Sequence, residues 1–139
     1  MKYYVDTCIW LNYFKKEVRN NVKYWEITKN FLNFVIQSKS KIIVSTIVIK
    51  ELKFKLGAKF NIILENLRKD DSIILISTTS QDYQLARQLE RINNFKLSFY
   101  DFLHIAICKR LNISLITRDK DLIKIGTYYI EINKPEDLI

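Results

Sequence analysis

The sequence predicts an α/β fold: a three-layer α/β/α sandwich with a parallel sheet of about five strands. Two observations carry this. Short apolar runs alternate along the chain with longer segments of helical period, and helical crossovers join strands in parallel, with helices on both faces. Between Phe102 and Cys108, every residue except His104 is apolar. A helix greasy nearly all round belongs inside a domain. With two glycines and one proline in 139 residues, there is no flexible linker, internal repeat or glycine-rich phosphate loop. Residues 1–139 therefore read as one domain, long enough to bury a core.

Taken in order, Lys2–Val5 is a first strand ending at Asp6, and Asp6-Thr7 opens a short helix through Phe14. Lys15–Lys23, polar and basic with Asn20-Asn21 at its middle, is expected to be a loop. From Tyr24 to Gln37, residues Tyr24, Ile27, Phe31, Phe34 and Val35 recur on one helical face. Ile42–Val44 is a second strand, and Ser45 or Thr46 caps the helix that follows. Ile49, Leu52 and Leu56 stripe that helix, and Gly57 suits the left-handed position after its last turn. Phe60, Ile63, Leu64 and Leu67 give another helix, Ile73–Ile76 a third strand, and Thr78-Thr79-Ser80 the turn out of it. Leu85, Ala86, Leu89 and Ile92 mark a further helix, ended by Asn93-Asn94. The buried helix begins near Ser98, Ser114–Thr117 is a central strand, and Asp119-Lys120-Asp121 starts a helix. Tyr128–Ile132 is expected as the last strand, before Pro135 breaks the tail.

Hydrophobic content of 48% with 27% charged residues excludes a disordered chain. No apolar run is long enough to span a membrane, and the MKYYVDT start has no signal-peptide layout, so the expected location is the cytoplasm. Cys8 and Cys108 are too few for a disulfide framework and lack zinc-ligand spacing; apolar neighbours make them buried thiols. The net charge is +8, with 23 Lys and Arg against 15 Asp and Glu. Such a surface attracts polyanions, but charge alone does not choose among RNA, DNA and an acidic protein. A basic surface kept only for solubility accounts for it equally.

In open parallel sheets, ligands sit beyond the carboxyl ends of the strands. Asp6 and Asp119 fall at that edge, Asp121 follows, and Asp101 lies in the first turn of the buried helix. Glu51 shares a helical face with Ile47 and Val48, and so borders the core. Each acid also has a purely structural reading. Glu51 could pair with a neighbouring lysine. Ser98-x-x-Asp101 resembles a capping box, and Asp119 could be an ordinary N-cap. Their convergence from four segments on one sheet edge favours chemistry. Two carboxylates about 5 Å apart repel by roughly 3 kcal/mol at an effective dielectric near 20. Four or five together call for protonation or a hard divalent cation, and all-oxygen ligands favour Mg²⁺ or Mn²⁺.

YYVDT at the start, VIKEL around Glu51, SFYDFLHIAIC and LITRDKDL come in the order found in PIN-domain ribonucleases. The whole chain resembles that family, and most closely the small VapC-type toxins of toxin–antitoxin pairs. The resemblance implies that Asp6, Glu51, Asp101 and Asp119 form the family's acidic cluster, with Asp121 an acid many members add. Thr7 and Thr117 match hydroxyl residues beside it. His104 fits a D-x-x-H variation, for which buried packing or a hydrogen bond is the expected role. Metal-dependent cleavage of RNA would follow, with Mg²⁺ or Mn²⁺ held by the acids. Arg118, Lys50, Lys53 and Lys55 are candidate contacts to the RNA backbone, each otherwise an ordinary solvated charge. A homodimer and an antitoxin partner are further expectations. A housekeeping PIN nuclease in RNA processing shares the chemistry. A nonenzymatic binding module on the same fold is the reading from another class, disfavoured because no acid of the cluster is replaced.

Overall fold

The computed structural model describes residues 1–139. Its centre is a five-stranded, wholly parallel sheet in which strand β1 (Lys2–Val5) lies between β4 (Lys41–Ser45) and β6 (Ser114–Ile116). Strand β5 (Ile73–Ile76) pairs outside β4, and β7 (Ile132–Asn133) outside β6. Tyr4 sits opposite Ile43 on one side and Leu115 on the other, so β1 is hydrogen-bonded along both edges. Tyr3, Tyr4, Val5, Ile42, Ile43, Val44, Leu115 and Ile116 are all buried, as a strand covered on both faces must be. Helices flank the sheet in the three-layer arrangement the sequence predicts: α1 (Thr7–Phe14), α2 (Tyr24–Gln37), α3 (Thr46–Leu56), α4 (Phe60–Lys69), α5 (Ser80–Ile92), α6 (Phe99–Leu111) and α7 (Lys120–Gly126).

Helix α6 is the interior helix. All seven residues from Phe102 to Cys108 are buried, and Asn112 ends the helix in the left-handed conformation. Parallel strands put all their carboxyl ends on one edge. There β1 runs into α1, β4 into α3, and β6 through Thr117 and Arg118 into α7. Chain order reverses beside β1: β4 and β5 are laid down on one side, β6 and β7 on the other. That makes the edge above β1 and β6 the natural place for a ligand crevice. No helix is long and apolar enough to cross a membrane.

Three local readings are corrected. Lys15–Lys23 is not a plain loop. Val18–Arg19 (β2) and Val22–Lys23 (β3) form a small antiparallel hairpin, turned by Asn20 and Asn21 at φ 51° and 65°. Asparagine tolerates the two successive positive φ values that a type I′ turn needs. The last strand is not Tyr128–Ile132 but Ile132–Asn133. Backbone amides of Tyr129 and Ile130 bond back to the carbonyl of Gly126, so the aromatic run is spent winding off α7. Gly57 does take positive φ after α3, but at φ 57° and ψ −125°, outside the left-handed helical region and open in practice only to glycine.

Candidate active site

Asp6 leaves β1 in extended conformation and caps α1, its Oδ1 accepting from the Thr7 amide at 2.7 Å. Its Oδ2 accepts from the Thr117 hydroxyl at 2.7 Å and from the Cys8 thiol at 3.4 Å. The carboxylate is therefore held between the ends of β1 and β6, with the residue 7% exposed. Cys8, half-buried beside it, has its thiol pushed up to about 12 by burial and by the charge of Asp6, so it stays protonated at neutral pH. Cys108 is fully buried in α6.

Glu51 stands in the second turn of α3, half-buried. Oε1 accepts from the Thr7 hydroxyl at 2.9 Å and lies 3.0 Å from His104 Nε2. Its partners are thus a threonine and a histidine rather than a lysine. Burial alone would raise its carboxyl; the His104 hydrogen bond and charge outweigh this, and the net direction is down. Thr7 ties the start of α1 to α3 in this way, and Thr117 joins the ends of β1 and β6.

His104 ties the cluster together from below. It is 1% exposed; Nε2 faces Glu51 and lies 3.7 Å from Asp6 Oδ1. Its Nδ1 is 2.6 Å from the Tyr4 hydroxyl, itself 2.6 Å from Ser45 Oγ, which accepts from the Val48 amide at 3.3 Å. Burial would lower the imidazole's affinity for a proton, but the Glu51 hydrogen bond and the charges of Asp6 and Asp101 win, and the direction is up. In the imidazolium form, both ring N–H groups donate, to Glu51 and Tyr4, and Tyr4 passes its own hydrogen to Ser45. Ser45 caps α3 as the sequence predicts, but Tyr4 escaped the sequence reading, because nothing local marks a tyrosine in a central strand as the partner of a histidine a hundred residues away.

Asp101 is in the first turn of α6, where its amide donates to Ser98 Oγ at 3.2 Å; the reciprocal half of a capping box is not made. Its carboxyl is raised from 3.8 to about 6, first by burial and then by the charge of Asp6, with Asp119 adding to it. Asp119 does cap α7, as its structural reading expects: Oδ1 accepts from the amides of Asp121 and Leu122 at 3.0 and 3.2 Å. Its side chain is exposed, and Oδ2 has no protein hydrogen bond. Asp121 is exposed in the first turn of α7, with no contact between its carboxylate and the other acids. The site thus brings together Asp6, Glu51, Asp101 and Asp119, with Thr7, Thr117 and His104 among them, and leaves Asp121 at the rim.

The basic candidates divide. Lys50, Lys53 and Lys55 are exposed and line a cavity of about 800 Å³ that reaches Glu51 and Thr7. Arg118 is turned inward instead. Its guanidinium lies 4.3 Å from the Tyr24 ring, donates to Glu136 at 2.7 Å and to Asn12 at 3.3 Å, and the side chain is 15% exposed. A guanidinium so engaged fastens the tail to α1 and α2, which is a packing role.

The donors suit a hard divalent cation. The acids and threonines offer carboxylate and hydroxyl oxygens beside the His104 ring and the Cys8 thiol, and burial first, then the charge of Asp6, raises the Asp101 carboxyl. No three acidic, histidine or cysteine side chains close on one point. Asp6 and Asp119 both raise the Asp101 carboxyl, so these three share one field, with Glu51 tethered beside them.

A wholly parallel α/β/α sandwich with acids from separate segments gathered at the carboxyl edge defines a class of acidic-cluster domains. The PIN domain family model matches residues 3–127, and the chain belongs to that family. Solved structures agree in fold. VapBC2 from Rickettsia felis, bound to a DNA fragment from their promoter, superposes with a TM-score of 0.71 at 18% identity, over 96% of this chain and 98% of that one. VapC20 from Mycobacterium tuberculosis, a sarcin–ricin loop cleaving toxin, gives 0.69 at 19% identity over 94% and 98%. FitAcB from Neisseria gonorrhoeae gives 0.67 at 16% over 96% and 98%. No curated protein sequence matches the chain.

Proposed function

We propose that this protein is a metal-dependent endoribonuclease, the toxin of a toxin–antitoxin pair. The observation that carries the reading is the gathering of Asp6, Glu51 and Asp101 from three segments around one buried histidine, with Asp119 beside Asp101, on a chain whose net charge is strongly positive. Membership of the PIN family and likeness to VapC20 and VapBC2 support it.

In this reading Asp6, Asp101 and Asp119 hold Mg²⁺ or Mn²⁺, and Asp121 contributes from the rim. The ion supplies Lewis-acid activation of water and neutralises charge on the phosphate. Glu51, deprotonated at neutral pH and fixed by Thr7 and His104, is placed to accept the proton of the attacking water. Thr117 and Thr7 orient carboxylates that would otherwise swing apart, and His104 offsets part of their repulsion. Because the water and not the ribose 2′-hydroxyl attacks, products carry a 5′-phosphate and a 3′-hydroxyl. An antitoxin partner, a homodimer and a cytoplasmic location belong to the same reading.

Sequencing the ends of cellular RNAs after brief induction tests it. New ends with 5′-phosphates are expected for the native chain and not for Asp6→Asn, and purified protein should cleave single-stranded RNA only with Mg²⁺ or Mn²⁺, an activity lost in Asp101→Asn. Matching end profiles for the native chain and Asp6→Asn would end the nuclease claim.

A further inference from the structure

The cavity of about 800 Å³ beside Glu51 is of the size that holds one or two small-molecule units, and its walls are unusual for a solvent-facing helix. Phe54 projects from α3 between Lys53 and Lys55 with 87% of its surface in water, packed against nothing. Tyr100, from the first turn of α6, faces the same space with Lys50 Nζ 5.7 Å from its ring centre. The alternation of ring and cation continues behind it, where Tyr83 stacks on Phe99 at 6.0 Å and the Arg87 guanidinium lies 3.9 Å over Phe99. The same hollow opens directly onto Thr7 and Glu51.

We infer that this cavity is a nucleotide subsite: Phe54 and Tyr100 stack an unpaired base of the RNA strand next to the bond that is cut, while Lys50, Lys53 and Lys55 meet its phosphates. The inference rests on the nuclease reading above and adds to it a selection for unpaired RNA. Three positive charges match a polyanion, and an exposed ring among them matches a base face, since stacking is available to any base once it is out of a duplex. Paired bases in an A-form helix present no face to such a ring, so the subsite admits loops and single strands and turns duplex away.

The probe is a set of short, labelled, single-stranded RNA oligonucleotides, with matched duplexes and versions lacking bases. Binding is read by fluorescence anisotropy in an Asp6→Asn background, and steady-state cleavage with Mn²⁺ in the otherwise native protein. Phe54→Ala is expected to weaken single-strand binding about 5- to 100-fold, Phe54→Trp to restore it, and Phe54→Leu, which keeps apolar bulk without a stacking face, not to. The same change should raise KM with little effect on kcat, as lost uniform binding does. Oligonucleotides lacking bases should bind weakly and be indifferent to Phe54→Ala. Because Phe54 touches no core residue, the variants keep native unfolding curves. Phe54→Ala binding RNA as the parent does, Phe54→Leu rescuing it, or a changed oligomeric state with RNA affinity intact each overturns the subsite and assigns the ring to a protein contact. Absence of any metal-dependent cleavage by the otherwise native protein sinks the nuclease reading instead, and the binding comparison still judges the subsite.

Discussion

At the scale of single residues, Asp101 is the group whose environment is most at odds with its charge. Burial and the neighbouring Asp6 carboxylate hold its carboxyl at about 6 against an ordinary 3.8. The folded state therefore binds this proton more tightly than the unfolded chain, and metal-free stability falls as pH rises through the window from about 3.8 to about 6. Asp101→Asn removes the cost, so at neutral pH the metal-free variant should be more stable by about 1–3 kcal/mol in urea unfolding, with the gain gone below pH 4. Stabilisation by Mn²⁺ should shrink in the same variant. Asp119 gives the contrasting case. Its Oδ1 caps α7, so its replacement removes a helix cap as well as the ligand proposed there. The acids themselves were legible in the sequence because each sits beside a local landmark: a strand end, a helix start or a stripe. The His104–Tyr4–Ser45 chain was not, since its members are joined only by the folding of distant segments.

At the scale of elements, α5 and α6 are pinned by an ion pair that no sequence pattern announced. Arg110 Nε and Nη2 donate to the two oxygens of Asp82 at 2.8 and 3.1 Å, and Asp82 is 1% exposed. Asp82 also completes a capping box with Thr79 at the start of α5. Burial would raise its carboxyl, but the Arg110 and Thr79 hydrogen bonds prevail and hold it below the usual range. Its contribution is thus present above the ordinary carboxylate range and is lost as pH falls through the lowered value. Asp82→Ala should cost about 1–3 kcal/mol at neutral pH, because it removes two hydrogen bonds from Arg110 and half of a capping box, and less in acid. Thermal melts of both proteins across pH 2–7 decide this. Elements with strong periodicity were read correctly, among them Tyr24–Gln37. The hairpin at Val18–Lys23 was missed because two-residue strands carry no alternation, although Asn20-Asn21 held the turn signal. The final strand was misplaced because aromatic and β-branched residues at Tyr128–Ile130 have strand propensity but are used to wind off a helix.

At the scale of the whole molecule, the +8 charge acts as a field over all contacts. If Lys50, Lys53 and Lys55 each meet a phosphate, single-strand affinity should fall with salt on a log–log slope that each Lys→Gln change reduces by about 0.7, measured by anisotropy over a salt series. A charge used only for solubility leaves the slope unmoved. The fold class was readable from the alternation of strands and helices, because a sheet with both faces covered makes its central strands short, mostly apolar runs.

The centre of the sheet is also the first strand in chain order. Tyr3 finds its neighbour at Ser114, and Asp6 its tether at Thr117, so both wait for the far end of the chain. While the ribosome is still making α6, β1 has one flank bare and the hollow has no second wall. The acidic hollow is therefore incomplete until Thr117 and Asp119 have joined the fold.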